Sequence, residues 1–150
     1  IRALEHLDAS GALPANWSRP DRVSRIAVLR LPREQLHGRI RRRVSEMFRH
    51  GFVEEVRALC QRFPQWSPTA AKAIGYAEAR AMLDGTITRD EAFKRTVTRT
   101  RQLAKRQETW FRHQTEAAWI DIEDTDPPAA VADRVLQTWR KYGPAKLIPF

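Results

Sequence analysis

Residues 98–112, TRTRQLAKRQETWFR, combine several cations, two aromatic residues and a single acid in one short stretch. On a helical wheel that starts at residue 93 and turns by about 100° per residue, the stretch divides into an apolar and a basic face. The pattern predicts a helix that begins at a capping box of Thr88 and Glu91 and reaches about Gln114. The apolar face comprises Phe93, Val97, Leu103, Ala104, Trp110 and Phe111, with Thr96, Thr100 and Gln107 among them. The basic face comprises Arg95, Arg99, Arg101, Lys105, Arg106 and Arg112.

The basic face repeats like charges four residues apart, as in the pair Arg95 and Arg99 and the pair Arg101 and Lys105. Each such pair destabilises an isolated helix by about 0.2–0.5 kcal/mol. A bound polyanion would reverse that cost, so one interpretation is a face that follows nucleic-acid phosphates. The alternative is that carboxylates elsewhere in the fold neutralise the face, although acids are scarce in this chain.

The whole chain is basic, with a net charge of +9 over 150 residues and an isoelectric point near 10.7. Such a charge favours polyanionic partners, above all nucleic acid. Cys60 is the only cysteine, which excludes a disulfide within the chain and a zinc site of several thiolates. The histidines lack paired metal-ligand spacing, and no apolar run approaches the length of a membrane span.

The remaining patterns predict an α/β fold that is mostly helical, with two short strands of a truncated sheet. Aliphatic residues predict the strands at 24–31 and 117–122. The helical period predicts helices at 1–10, 34–48, 53–63, 69–83 and 127–142 in addition to the basic helix, with Gly75 in the first half of the fourth. Two strands alone seldom form a stable sheet, and the chain opens inside a helix without methionine, so we expect a fragment of a longer protein.

The segment TRQLAKRQETWFR (100–112) resembles a signature near the C-terminal end of tRNA dimethylallyltransferases, the isopentenyl-transferase enzymes of tRNA modification. Further segments resemble the same family in the same order. They are RALE (2–5), LPREQLHGRIRRRVSEMFRHGFVEEVRAL (31–59), SPTAAKAIGYAE (67–78), GTITRDEA (85–92) and WID (119–121). The resemblance thus extends from Arg2 to Asp121. It implies that residues 1–124 form the C-terminal, tRNA-binding part of the family's core and leaves 125–150 as a terminal helix and tail.

The resemblance implies a cytoplasmic, monomeric enzyme with a core related to P-loop nucleotide-binding folds. Enzymes of this family use Mg²⁺ and transfer a dimethylallyl group from dimethylallyl diphosphate to N6 of the adenosine just 3′ of the anticodon. Their tRNA partner presents that base flipped out of the anticodon loop, because N6 is unreachable while the base is stacked.

The resemblance also implies two tRNA-binding segments. One comprises Lys72, Ala73, Ile74, Gly75, Tyr76 and Ala77, and the other comprises Arg101, Lys105, Arg106, Gln107, Trp110 and Arg112. Within the second segment the cations would bind backbone phosphates, whereas Gln107 and Trp110 would either support the helix or touch the anticodon loop. Tyr76 could stack on a base or fill the core.

The family's phosphate loop, of the type G-x-x-x-x-G-K, does not occur in this sequence. The family's general-base aspartate belongs to the same missing part, so we expect no catalytic residue and no Mg²⁺ ligand here, and no activity from this chain alone. Arg39 and Arg43, four residues apart on one helix, could bind the donor diphosphate, or could simply form salt bridges. A free-standing RNA-binding module without catalysis is the alternative function.

Overall fold

The computed structural model describes residues 26–141 as a mostly helical α/β fold with two short strands. The predicted opening helix and residues 142–150 lie outside the described residues. In chain order the elements are β1 (Ala27–Arg30), α1 (Arg33–Arg49), α2 (Phe52–Arg62), α3 (Pro68–Ala71), α4 (Tyr76–Leu83), α5 (Arg89–Gln114), β2 (Ala118–Asp121) and α6 (Pro128–Arg140). No helix between residues 26 and 141 is long and apolar enough to cross a membrane.

Strands β1 and β2 pair in parallel, in a register that places Ala27 opposite Ala118 and Arg30 opposite Asp121. The five helices α1–α5 connect them, as a parallel pair requires a long crossover. At the carboxyl ends of the strands, Arg30 donates two hydrogen bonds to the Asp121 carboxylate, at 2.5 and 2.9 Å. Both strands are shorter than predicted, and they bring residues from distant parts of the chain to one sheet edge.

The hydrophobic core lies among α1, α2, α4 and α5. Helix α1 contributes Ile40, Val44 and Phe48, which recur every four residues as the helical period predicts. Val56 of α2 is fully buried, and the ring of Phe48 meets Phe93 of α5 edge-on with centroids 6.0 Å apart. This packing fixes α5 on α1 and so determines where the basic helix lies.

The prediction that Gly75 lies inside a helix is wrong. Gly75 separates α3 from α4 and adopts φ = +92°, a left-handed conformation that glycine tolerates without steric cost. A Cβ atom at Gly75 would lie 3.1 Å from Cζ of Phe52. A glycine turn that packs closely against Phe52 therefore divides what the local pattern indicates as one continuous helix.

Helix α5 begins where its capping residue predicts. The Thr88 hydroxyl accepts a hydrogen bond from the Glu91 backbone N–H at 3.2 Å. The Glu91 carboxylate binds Arg95 at 2.5 Å, so within the described hydrogen bonds only the threonine half of the capping box is present.

Candidate nucleic-acid interface

The second half of α5 extends beyond the core. Its buried residues, Ala92, Thr96 and Val97, all lie in the first ten positions. Further along, Leu103 is 37% exposed and Trp110 is 54% exposed. The predicted apolar face is thus buried only at its start, because the core ends near Ala104. An exposed tryptophan therefore lies among the cations of residues 101–112.

Carboxylates neutralise several of the cations on α5, as the alternative interpretation of the basic face expects. Arg95 binds Glu91 at 2.5 Å, Arg112 binds Glu108 at 2.6 Å and Arg99 binds Glu78 at 2.5 Å. These pairs overturn the expectation that Arg95 and Arg99 present uncompensated charge. The helical wheel cannot show the pair of Arg99 with Glu78, because Glu78 belongs to another helix.

Three arginine or lysine side chains of α5 from residue 101 onward have no ion pair within residues 26–141, namely Arg101, Lys105 and Arg106. Before them only Arg89 lacks an ion pair in this range, and it donates a hydrogen bond to the backbone carbonyl of Phe48. Arg106 and Lys105 are exposed, and Arg101 is half-buried. All three belong to the segment that the resemblance connects with tRNA. The uncompensated positive charge of α5 is thus concentrated in its exposed half.

The segment 72–77 is attached to α5 by Glu78, which is 5% exposed. Its Oε2 accepts the Gly75 backbone N–H at 2.8 Å, and its Oε1 accepts Arg99 at 2.5 Å. Arg99 also donates to the backbone carbonyl of Lys72 at 3.0 Å. One buried carboxylate therefore holds the first predicted segment against α5, the helix that also carries the second predicted segment. The sequence reasoning missed Glu78, although its position three residues after a glycine is the N3 position of a capped helix.

The first predicted segment presents its residues unequally. Lys72 and Ala73 are exposed, Ile74 and Ala77 are half-buried, and Gly75 is buried. The Tyr76 ring meets Phe52 edge-on at 5.2 Å, and its hydroxyl donates to Glu55 at 2.6 Å. That hydrogen bond is the main cause of a raised Tyr76 pKa, with burial second. These contacts are those of a side chain that fills the core.

The two arginines considered for the donor diphosphate differ in their surroundings. Arg39 binds Asp124 at 2.7 Å, and Arg42 binds the same carboxylate at 3.2 Å. Arg43 is exposed and has no ion pair in the described part of the chain. The salt-bridge alternative thus describes Arg39, whereas Arg43 is available to an anion.

A groove of about 730 Å³ lies where the carboxyl ends of both strands meet α1 and α5. We call it the strand-end groove. Arg30, Arg33, His37, Arg101 and Lys105 line it, together with apolar residues and three acids. The sequence reasoning missed Arg33 and His37, although they occur four residues apart directly after a strand.

No group of three or more histidine, cysteine or acidic residues within 26–141 could hold a metal ion. The described residues therefore do not fit the Mg²⁺ that the resemblance implies.

Residues 1–114 match the family model described as IPP transferase. A protein of Corynebacterium jeikeium named tRNA dimethylallyltransferase is 39% identical over 138 residues, which cover 89% of this chain and 44% of that protein. A protein of the same name from Kineococcus radiotolerans is 43% identical over 143 residues, covering 91% of this chain and 44% of that protein. The chain spans less than half the length of these curated relatives.

Solved structures agree with the sequence relatives. The tRNA delta(2)-isopentenylpyrophosphate transferase of Staphylococcus epidermidis superposes with a TM-score of 0.71 at 26% identity, over 95% of this chain and 47% of that one. The full-length tRNA isopentenylpyrophosphate transferase of Bacillus halodurans gives a TM-score of 0.71 at 29% identity, over 93% of this chain and 44% of that one.

Proposed function

The chain belongs to the IPP transferase family, and from that premise we propose that it is the tRNA-binding part of a tRNA dimethylallyltransferase. Its relatives carry that enzyme name. The complete enzyme joins N6 of the adenosine 3′ of the anticodon to C1 of the dimethylallyl group. The bond from C1 to the diphosphate oxygen breaks, the diphosphate leaves with the electron pair, and N6 loses a proton. The partners are the tRNA anticodon stem-loop and dimethylallyl diphosphate.

The observation that carries the proposal is the exposed half of α5. Arg106 and Lys105 are exposed and lack ion pairs in the described region, and Trp110 is exposed beside them. Cations that track a backbone, combined with an aromatic ring on which an unpaired base stacks, are typical of single-stranded RNA recognition. An anticodon loop offers both phosphates and unpaired bases.

The segment 72–77 forms the second part of the proposed interface. Arg99 and Glu78 hold it against α5, so one RNA loop can meet both segments. Lys72 would bind a phosphate, and Gly75, without a side chain, would let the backbone approach closely. Arg43 of α1 is the better placed of the two arginines for the donor diphosphate, because Arg39 must first release Asp124.

The sequence contains no G-x-x-x-x-G-K loop, and such loops hold phosphates with their backbone amides. We therefore expect no prenyl transfer from this chain alone. From the family relationship we further expect that it binds tRNA in the cytoplasm as a monomer. The complete enzyme would use Mg²⁺ held by residues other than those described here.

Binding of an anticodon stem-loop at several salt concentrations tests the proposal. The logarithm of the affinity falls with the logarithm of salt by about 0.7–0.9 per neutralised phosphate. Arg106→Ala should make this slope shallower by about 0.7–0.9, the contribution of one phosphate contact. The matched control is Arg57→Ala, which removes an exposed arginine from α2, outside the proposed interface. Equal slopes for the two variants would contradict the proposal.

A second comparison separates the enzyme part from a free-standing RNA-binding module. The stem-loop is prepared with adenosine or with uridine at the position 3′ of the anticodon. The tRNA-binding part of a modification enzyme should bind the adenosine stem-loop more tightly than the uridine stem-loop. Equal affinity for the two stem-loops would support the free-standing module without catalysis.

A further inference from the structure

The strand-end groove has a distinctive position. The carboxyl ends of parallel strands are the edge at which α/β folds commonly bind ligands. Here that edge is marked by the paired side chains of Arg30 and Asp121. The first turn of α1 forms one wall, and the stretch of α5 from Thr98 to Glu108 forms the other. One wall is therefore the same helix that carries the exposed cations.

The acids of the groove already have partners. Asp121 accepts two hydrogen bonds from Arg30, Glu108 binds Arg112 at 2.6 Å, and Glu123 accepts a hydrogen bond from Gln35. In contrast, the remaining cations of the groove have no ion pair with any residue between 26 and 141. They are Arg33, Arg101 and Lys105. Because the partner of Glu123 is a neutral amide, the groove holds three cations without an ion pair against one such acid.

Arg101 gives the clearest sign of a ligand. Its Nε atom is buried and has no hydrogen-bond partner among the described residues. Buried polar atoms are nearly always hydrogen-bonded in folded proteins, so such a donor calls for an explanation. A guanidinium group suits two oxygens of one phosphate, because its N–H donors form a planar fork.

The groove also has an apolar surface, formed in part by Leu31, Leu36 and Ala104. An isolated inorganic anion gains nothing from such a surface. A ribose beside a phosphate does, because its carbon atoms can pack against the aliphatic side chains. Lys105 lines the groove and is followed on α5 by the exposed Arg106, so the groove is continuous with the proposed RNA surface.

We propose that the strand-end groove binds one phosphodiester group of the RNA strand through Arg33, Arg101 and Lys105, with the adjoining ribose against Leu36. This inference rests on the proposed function and deepens it, because it joins Arg33 of α1 and the strand-end groove to Arg101 and Lys105 of the second segment that the resemblance indicates. Arg33 and Arg101 come from different helices, so a bound phosphate would join α1 to α5.

His37 provides a reporter inside the groove. Its pKa is lowered, first by burial and then by the positive charges of Arg101 and Arg33. The other charged groups that line the groove are Arg30, Lys105, Glu108, Asp121 and Glu123. A phosphate bound between the two arginines would offset their charge, so the His37 pKa should rise when RNA binds.

The test uses Arg33→Gln and the exposed control Arg57→Ala, with the salt dependence of stem-loop binding as the first readout. Arg33→Gln should reduce the slope by about 0.7–0.9, and the control should leave it unchanged. Arg33→Lys keeps the charge without the planar fork and should restore most of the slope. Circular dichroism of each variant separates lost binding from lost folding.

The second readout is the His37 pKa measured by NMR, with the resonance assigned through His37→Gln. We expect stem-loop RNA to raise this pKa and inorganic diphosphate at the same concentration to leave it unchanged. A larger shift with diphosphate would overturn the assignment to RNA and identify a free-anion site. If Arg106→Ala weakens RNA binding while Arg33→Gln and the His37 pKa show no effect, the groove proposal fails and the proposed function stands. If no RNA binds at all, both fail.

Discussion

Replacing Glu78 by glutamine tests the connection between the segment 72–77 and α5. The Glu78 carboxylate is buried and accepts from Gly75 N–H at 2.8 Å and from Arg99 at 2.5 Å. A glutamine side chain keeps one accepting oxygen but directs an amide N–H₂ group toward the other donor. One of the two hydrogen bonds is therefore lost, together with the charge that strengthens both.

The expected magnitude follows from these contacts. A hydrogen bond to a charged group contributes about 1.5–3 kcal/mol to stability. The Arg99 side chain is 37% exposed, so water replaces part of what it loses. We expect Glu78→Gln to lower the free energy of unfolding by about 2 kcal/mol. For a domain of this length that corresponds to a melting temperature lower by roughly 4–8 °C.

The matched control is Glu91→Gln. Glu91 also binds an arginine at 2.5 Å, but both side chains are about half-exposed and lie four residues apart on one helix. Such pairs contribute only about 0.3–0.5 kcal/mol. Urea unfolding of both variants, followed by circular dichroism, gives the comparison. If Glu78→Gln costs no more than Glu91→Gln, the buried carboxylate does not hold the two segments together.

Three further predictions concern single contacts. Gly75→Ala should destabilise the fold by about 1–3 kcal/mol in urea unfolding, because alanine disfavours φ = +92° and its Cβ would press on Phe52; a neutral result would show that the turn is not required. Tyr76→Phe removes the hydrogen bond to Glu55 and should lower the free energy of unfolding by about 0.5–1.5 kcal/mol. Glu55→Gln should let the Tyr76 phenolate form at lower pH in an absorbance titration, and an unchanged titration would refute that contact. Arg30 lowers the Asp121 pKa, chiefly through its hydrogen bond. The pair should therefore stabilise the fold above the carboxyl's unfolded pKa of about 3.9, and this stabilisation should be lost as pH falls through the lowered folded value. Asp121→Asn should flatten that part of the plot of unfolding free energy against pH, and an unaltered plot would contradict the pairing.

The helices were largely predictable because their apolar residues recur with the helical period. The pattern around Ile40, Val44 and Phe48 gives α1 to within a residue or two. The capping threonine at 88 likewise gives the start of α5. Both patterns depend only on residues close together in the sequence, and the helices form as predicted because their apolar residues also pack in the core.

The break at Gly75 could not be predicted in the same way. A single glycine inside a helical pattern is often tolerated, and its positive φ here goes together with close packing against Phe52, which lies in an earlier helix. The neutralisation of Arg99 by Glu78 has the same origin, since the pair joins α5 to α4. The strand-end groove could not be predicted either, because it combines Arg33 with Arg101, which lie on different helices far apart in the sequence.

The central claim is that the exposed half of α5 and the segment 72–77 together bind the anticodon stem-loop. Hydrogen–deuterium exchange of the chain with and without a stem-loop that carries adenosine 3′ of the anticodon tests it most directly. We expect slower exchange at residues 72–77 and 98–112 and no change at Pro128–Arg140 of α6. Saturating binding that leaves both segments unprotected, or that protects α6 instead, would contradict it.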